Sequence, residues 1–197
     1  WNAADGVGFT TNDQFATGSA LAYGQSSQTC AQLEAVTTTF GVGIPNASGT
    51  ALNSAVLASL NDQAITRGGN YTVLAGGNVI HPSVVMLDNS MTGKLGNNEA
   101  AVRFVNLAAS SEFPFTVLKG TAGSGNTSLL YGNIAFRGAT PFMTVTSGSN
   151  AYSIMHGEQL GVGGSDATLN LQSGTLNTFV IIRTLAGNFQ LVNVPSC

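Results

Sequence analysis

The sequence predicts an all-β fold built from two tandem β-sandwiches, and three observations support this. Short segments alternate apolar and polar residues with the period of two that is typical of a strand, as in FPFTVLKG (113–120). Gly, Asn, Ser and Pro recur roughly every 8 to 12 residues, which is the spacing of turns in a sandwich. The two halves of the chain also repeat the same order of segments.

The internal repeat sets the predicted order of the elements. The matched pairs of segments are GSALAYGQSS (18–27) with TSLLYGNIAF (127–136), AQLEAVTTTFGVGI (31–44) with TPFMTVTSGSNAYSIM (140–155), LNDQAITRGGNYTVLAGG (60–77) with LNLQSGTLNTFVIIRT (169–184), and SVVMLDN (83–89) with FQLVNVP (189–195). Segments 31–44 and 140–155 are each predicted as one alternating strand. We therefore predict domains at residues 1–90 and 100–197, joined by a Gly- and Asn-rich linker at 91–99.

The repeat is asymmetric at its start. The second half opens with AAVRFVNLAAS (100–110), a strong predicted strand. The first half opens with WNAADGVGFTTND (1–13), in which GVGFTT aligns with FPFTVL and no comparable strand precedes it. Two interpretations remain open: a truncated or divergent edge strand, or a strand supplied by another copy of the chain through β-augmentation.

Composition excludes several classes of protein. Hydrophobic residues make up 43% of the chain, which predicts a packed core. Charged residues make up only 8%, against about 25% in an ordinary soluble domain. The net charge of −3 and the absence of a basic stripe argue against a nucleic-acid partner. A surface so poor in charge suits a packed assembly, and we expect an extracellular or cell-surface location.

No segment of the sequence is predicted to span a membrane, because the longest apolar runs have about four to six residues. The stretch that begins with Trp1 is polar and lacks both a charged n-region and an apolar h-region. We therefore expect no signal peptide within this sequence.

The order of these motifs resembles a bacterial family of exported proteins, often with tandem domains, whose function is unknown. The resemblance is carried by Arg103-Phe104-Val105-Asn106, by Tyr23-Gly24 and Tyr131-Gly132, and by Tyr71-Thr72-Val73. The family pattern is an Arg-Val-x-x-Val-Asn-Ala strand, a Leu-Ala-Tyr-Gly turn and a Tyr-Thr-Val-x-Ala-x-Gly strand. The second half departs from it by placing Phe179 at the tyrosine position.

The resemblance implies two immunoglobulin-like β-sandwiches, the first lacking its first strand, and it implies no catalytic residue. Residues 50–64 have an apolar spacing that allows a short helix. The resemblance implies a strand at 55–66 instead, and we predict a strand there.

Cys30 and Cys197 lie too far apart in the sequence for a metal motif or a redox pair. Two interpretations are a pair of free thiols and a disulfide, and an exported chain favours the disulfide. The bond could lie within one chain or link neighbouring copies. Within one chain it would stabilise the fold by about 5 kcal/mol in the chain-entropy model.

No catalytic, metal or cofactor site is predicted. His81 and His156 lack carboxylate partners at a usable spacing, so we expect both to be solvated loop residues. Asp5, Asp13 and Asp62 are scattered. The glycine-rich stretches GGNYTVLAGG (68–77) and GVGGSD (161–166) lead into no helix, which excludes a phosphate-binding loop.

The remaining polar residues of interest are two arginines, predicted to be structural, and three sequons. Arg103 and Arg183 lie within apolar strands, where we expect them to face solvent or pair across a sheet. The sequons at Asn46, Asn70 and Asn126 are possible glycosylation sites in an organism that glycosylates exported proteins.

Together these features predict a non-catalytic exported protein whose copies assemble into a filament or surface layer by strand donation. The candidate donor residues are Val7 and Phe9 in the N-terminal segment, or Val102, Phe104 and Val105 in the strand at 101–107. The alternative prediction is an adhesion module that binds a glycan or a surface protein through its loops.

Overall fold

The computed structural model describes most of the chain, with gaps. The described residues are 6–16, 21–27, 30–48, 50–53, 56–77, 82–108, 114–122, 124–157, 159–160, 166–184 and 186–195. They form fifteen β-strands and no helix, which confirms the predicted all-β class. Within these ranges there is accordingly no helix long and apolar enough to cross a membrane. The chain divides into a first unit, Trp1–Ser90, and a second unit, Met91–Ser196.

The first unit contains two antiparallel sheets. Its described strands are β1 (Gly8–Thr11), β2 (Gln14–Phe15), β3 (Thr37–Gly43), β4 (Ala58–Ala64), β5 (Tyr71–Gly77) and β6 (Pro82–Asp88). One sheet has the order β2-β1-β3-β4, and the other consists of β5 and β6. Phe40 and Val42 of β3 meet Val84 of β6 in one apolar cluster, so the two sheets share a core.

The second unit is larger and also contains two sheets. Its described strands are β7 (Glu99–Asn106), β8 (Phe115–Lys119), β9 (Ser128–Ile134), β10 (Met143–Thr146), β11 (Gly148–His156), β12 (Gln159–Leu160), β13 (Ala167–Leu171), β14 (Leu176–Arg183) and β15 (Phe189–Pro195). One sheet has the order β10-β7-β14-β15. The other has the order β12-β11-β8-β9, and β13 also pairs with β11. Strand β7 runs parallel to β14, whereas all the other pairs are antiparallel.

Aromatic side chains from both sheets build the core of the second unit. Phe104 of β7, Phe115 of β8, Tyr152 of β11 and Phe179 of β14 are completely buried. The ring centroid of Phe104 lies 5.4 Å from that of Tyr152 and 5.7 Å from that of Phe179. Because one core joins the inner faces of two sheets, this unit is a β-sandwich.

The strand order differs in one respect from the immunoglobulin constant-domain arrangement. That arrangement places the first two strands side by side in one sheet. In the second unit, β7 and β8 lie in different sheets, and β7 pairs with β10 and β14 instead. The immunoglobulin-like assignment of the two units therefore stays a prediction.

Equivalent strands of the two units pair in the same way. Phe9 of β1 lies opposite Val42 of β3, and Val117 of β8 lies opposite Ile154 of β11; Val42 and Ile154 each face the core of their own unit. Residues 58–64 form strand β4, as the resemblance implied, and β4 pairs with β3 as β13 pairs with β11. By these pairings, β3 is equivalent to β11 and β4 is equivalent to β13. The hairpin of β5 and β6 is equivalent to the hairpin of β14 and β15.

Several local predictions were wrong. Segment 140–155 was predicted as one strand but forms two, β10 and β11, which are separated at Ser147 and lie in different sheets. The extended backbone is interrupted there because Gly148 has a φ of +98°. Residues 31–36 are exposed and lie in no strand. Tyr131 and Gly132 lie within β9 rather than in a turn.

The predicted alignment of Tyr71 with Phe179 was also wrong. The turn glycines Gly68 and Gly174 both have a positive φ, of +75° and +78°. Tyr71 follows the first of them by the same number of residues as Asn177 follows the second. Tyr71 therefore corresponds to Asn177, two positions from the predicted partner, and Val73 corresponds to Phe179.

Tyr152 makes the second unit sensitive to alkaline pH. Its hydroxyl has no hydrogen-bond partner among the described residues, and burial raises its pKa to about 12. Between pH 10 and 12 the unfolded chain loses this proton while the folded chain keeps it, so stability falls as pH rises. We expect a loss of about 2 to 3 kcal/mol from this group over that interval. Urea unfolding of the wild type and Tyr152→Phe should show this loss only in the wild type; equal slopes would contradict it.

Candidate functional site: the open edge of strand β5

Strand β7 shows how the second unit completes its sheet. Its edges are hydrogen-bonded on both sides, antiparallel to β10 and parallel to β14. The parallel pairing runs from Ala101 opposite Leu176 to Asn106 opposite Ile181. All residues from Ala100 to Ala108 are buried, so β7 is a central strand of this sandwich.

Side chains of β7 make contacts on both faces of its sheet, and these contacts hold the strand in place. Val102 and Phe104 belong to the core cluster. Arg103, which is 96% buried, points to the other face, where its Nε donates to Thr178 Oγ1 at 2.8 Å. Its guanidinium lies 4.5 Å from the ring centroid of Phe142, a cation–π contact. Arg103 thus pairs across the sheet, one of the two roles expected for it.

In the part of the chain that the structure describes, the first unit has the counterpart of β14 but not of β7. Strand β5 pairs with β6 from Tyr71 opposite Asp88 to Gly77 opposite Pro82. Among the described residues, no strand pairs with the other edge of β5. Every second residue of β5 therefore directs its backbone N–H and C=O groups to an edge that is open within the described part of the chain.

The inner face beneath this edge is apolar and only partly covered. Tyr71, Val73 and Ala75 pack against the core of the first unit, but each remains half-buried. By contrast, Phe179 and Ile181, which face the core at the equivalent positions of β14, are fully buried beside β7. The open edge and these three side chains form what we term the β5 groove.

Strand β5 itself carries none of the sequence features that usually protect an exposed edge. Natural edge strands are blunted by lysine, proline, inward-pointing charges or bulges. Strand β5 has the sequence YTVLAGG, which contains no charged residue and no proline. Its pairing with β6 runs without a register shift. The arrangement can bind an extended peptide through backbone hydrogen bonds, with apolar side chains entering the groove.

The predicted donor residues are paired within their own units. Val102, Phe104 and Val105 are in β7 and are completely buried. Phe9 lies in β1 opposite Val42, and Val7 forms a bridge with Leu21. Donating any of them to another chain would break a pairing within their own unit, which disfavours them as donors. The β5 groove was not named from the sequence, although the missing counterpart of β7 was the signal for it.

Cys30 is disulfide-bonded, so the alternative of a free thiol is wrong for this residue. The sequence contains one further cysteine, Cys197, which lies outside the described residues.

The three sequons differ in their surroundings. Asn126 is exposed beside a turn. Asn46 is half-buried, and its Oδ1 accepts from the backbone N–H of Thr50 at 3.0 Å. Asn70 Oδ1 accepts from Asn89 Nδ2 at 2.8 Å. Asn126 is therefore the asparagine whose amide is most accessible to a modifying enzyme.

The expectation of a solvated loop was wrong for His156. It is the last residue of β11 and is half-buried, with its ring centroid 4.8 Å from that of Phe115 and 5.0 Å from that of Phe189. His81 lies outside the described residues. Within the described ranges, no three His, Cys, Asp or Glu residues gather in a way that could hold a metal ion.

Comparison with known proteins adds no identification. No model of a known protein family matches the chain, and no curated protein matches its sequence.

Proposed function

We propose that this chain is a non-catalytic structural protein that works outside the cell and assembles from identical copies. In this proposal, the β5 groove of one copy accepts an extended strand from a neighbouring copy. The single observation that carries the proposal is that β5 ends a two-stranded sheet at a position where β14 has β7 beside it.

The second unit indicates what the accepted strand contributes. Six residues of β14 pair with β7, and each backbone hydrogen bond adds a net stabilisation of about 0.5 to 1.5 kcal/mol. An apolar side chain entering the β5 groove would add about 1.5 to 3 kcal/mol through its own burial. A strand from another copy therefore has enough favourable contacts to offset the cost of association.

We propose the segment ahead of Gly6, which includes Trp1–Asp5, as the donor. Residues 1–5 lie outside the described residues. In the second unit, the completing strand β7 comes immediately before β8, the counterpart of β1. A segment at the same place in the chain could cross to the next copy with β1 left in its sheet. Because donor and acceptor surfaces differ, repeated contacts of this kind build an open filament.

The composition supports an exported assembly. Charged residues make up 8% of the chain, so neighbouring copies repel each other weakly. A disulfide at Cys30 also suits an oxidising compartment. Non-reducing electrophoresis of the assembled protein would separate a disulfide within one chain from one that links two copies.

A surface cleft favours the alternative function, a glycan-binding module. The cleft, of about 300 Å³, lies in the second unit, and its lining includes Asp166, Thr184, Asn188, Gln190 and Phe189. Polar side chains along a cleft could recognise a sugar by hydrogen bonds. A monomeric protein that binds a glycan at this cleft would favour the alternative over assembly.

Substitution of Ala75 tests the proposed assembly. We expect the wild type to form filaments in negative-stain micrographs, with the emission of Trp1 shifting to shorter wavelength. Ala75→Lys should abolish both, because a donor strand would have to bury the lysine charge. Ala75→Val, the matched control, keeps the groove apolar and should still assemble. Circular dichroism checks that both variants fold; assembly of a folded Ala75→Lys protein would refute the proposal.

A further inference from the structure

Within its described ranges, the first unit also shows no paired counterpart of β10. Strand β11 follows β10 directly, and aligning Val42 of β3 with Ile154 of β11, which both face their cores, aligns residues 31–34 with Met143–Thr146 and Leu33 with Val145. In the second unit, β10 is an edge strand whose described pairing is with β7 alone. Val145 of β10 is 7% exposed, so its pairing with β7 places this side chain against the core.

The equivalent segment of the first unit has a different form. Residues 31–36, with the sequence AQLEAV, belong to no strand, and all six are exposed. The side chains of Leu33 and Val36 are 39% and 47% exposed, high values for apolar residues. At both ends the segment is held: Cys30 is disulfide-bonded, and Val36 accepts from Ile65 N–H at 3.2 Å.

We propose that residues 31–36 form a strap that closes over the donor strand and pairs with its free edge. This inference rests on the proposed function, and it extends the β5 groove to a site with two walls. The completed sheet would have the order strap, donor, β5, β6, which reproduces β10-β7-β14-β15. The donor would run parallel to β5 and antiparallel to the strap.

The physical reason is that the strap and the donor strand can each satisfy unpaired backbone hydrogen-bonding groups of the other. When a strand is hydrogen-bonded along just one edge, the backbone N–H and C=O groups of its second edge face water or the partly covered groove. In the second unit, β10 satisfies that second edge of β7, with Met143 opposite Val102. No described strand pairs with residues 31–36, and the apolar side chains of Leu33 and Val36 are exposed.

A peptide with the sequence of residues 99–107, EAAVRFVNL, is the probe for the two-walled site, because this sequence already fills the equivalent place in the second unit. Fluorescence anisotropy of the labelled peptide measures its binding to the full chain, at a concentration where the chain is unassembled. Amide hydrogen exchange then locates the protection. We expect slower exchange both in residues 31–36 and in β5.

Two controls separate the inference from the proposed function. A peptide carrying Val102→Asp and Phe104→Asp should not bind, because its apolar face is lost. The chain variant Leu33→Asp/Val36→Asp should bind EAAVRFVNL about tenfold more weakly, since two apolar side chains no longer cover the peptide. Protection of β5 without protection of 31–36 would overturn the strap and leave the β5 groove as the acceptor. Protection of neither segment would overturn both.

Discussion

A copy of β7 fused ahead of β1 should complete the first unit within its own chain. The variant replaces residues 1–6 with the sequence of residues 99–114. The added copy of β7 and its connection then lead into Val7 in the way that the originals lead into Phe115. We expect the melting temperature of the first unit to rise by at least about 10 °C, because two buried apolar side chains and a row of backbone hydrogen bonds are gained. Differential scanning calorimetry measures the change, and sedimentation should show a protein that no longer assembles.

The control for this fusion carries Val102→Asp and Phe104→Asp in the added copy only. It has the same length and connection but cannot fill the β5 groove, so its first unit should melt as in the wild type. Equal melting temperatures for the two fusions would mean that the groove does not accept a strand of this sequence.

Truncation of Phe104 should unfold the second unit at much lower denaturant than the wild type requires. Phe104→Ala removes a completely buried ring that packs against Tyr152 and Phe179. Substitutions of this kind cost about 3 to 5 kcal/mol, from lost burial and the cavity left behind. Urea unfolding followed by near-ultraviolet circular dichroism measures the loss. The first unit should unfold as before, because Phe104 belongs to the core of the second.

Leu129→Ala is the matched control for Phe104→Ala. Leu129 lies in β9 of the same unit but is 68% exposed, so its truncation should change the free energy of unfolding by less than about 0.5 kcal/mol. A small effect of Phe104→Ala, similar to that of Leu129→Ala, would show that β7 is not the strand that holds this sandwich together.

The sequence was sufficient to predict the all-β class because strand periodicity is local. Alternation in FPFTVLKG and NTFVIIRT marks which residues face the core, and Phe115, Val117 and Phe179 are indeed completely buried. The comparison of the two aligned halves also predicted that the first half lacks a counterpart of β7, and among the described residues no strand pairs with the outer edge of β5.

Properties that depend on pairing between distant strands could not be predicted. Sequence shows that Arg103 sits in an apolar strand, but not that Thr178, 75 positions away, accepts its Nε–H. His156 looked like a loop residue because Gly157 follows it, whereas Phe115 and Phe189 of other strands cover its ring. The β5 groove likewise became visible only when the pairing of each strand edge was known.

The central claim is that the outer edge of β5 is open in a single copy and paired in the assembly. Amide hydrogen exchange of Tyr71–Gly77, compared between unassembled protein and filaments, measures this most directly. We expect the amides that point away from β6 to exchange fast in the single copy and slowly in filaments, whereas the amides bonded to β6 are protected in both. Protection of every β5 amide in the single copy, or fast exchange of the outer amides within filaments, would contradict strand donation at this edge.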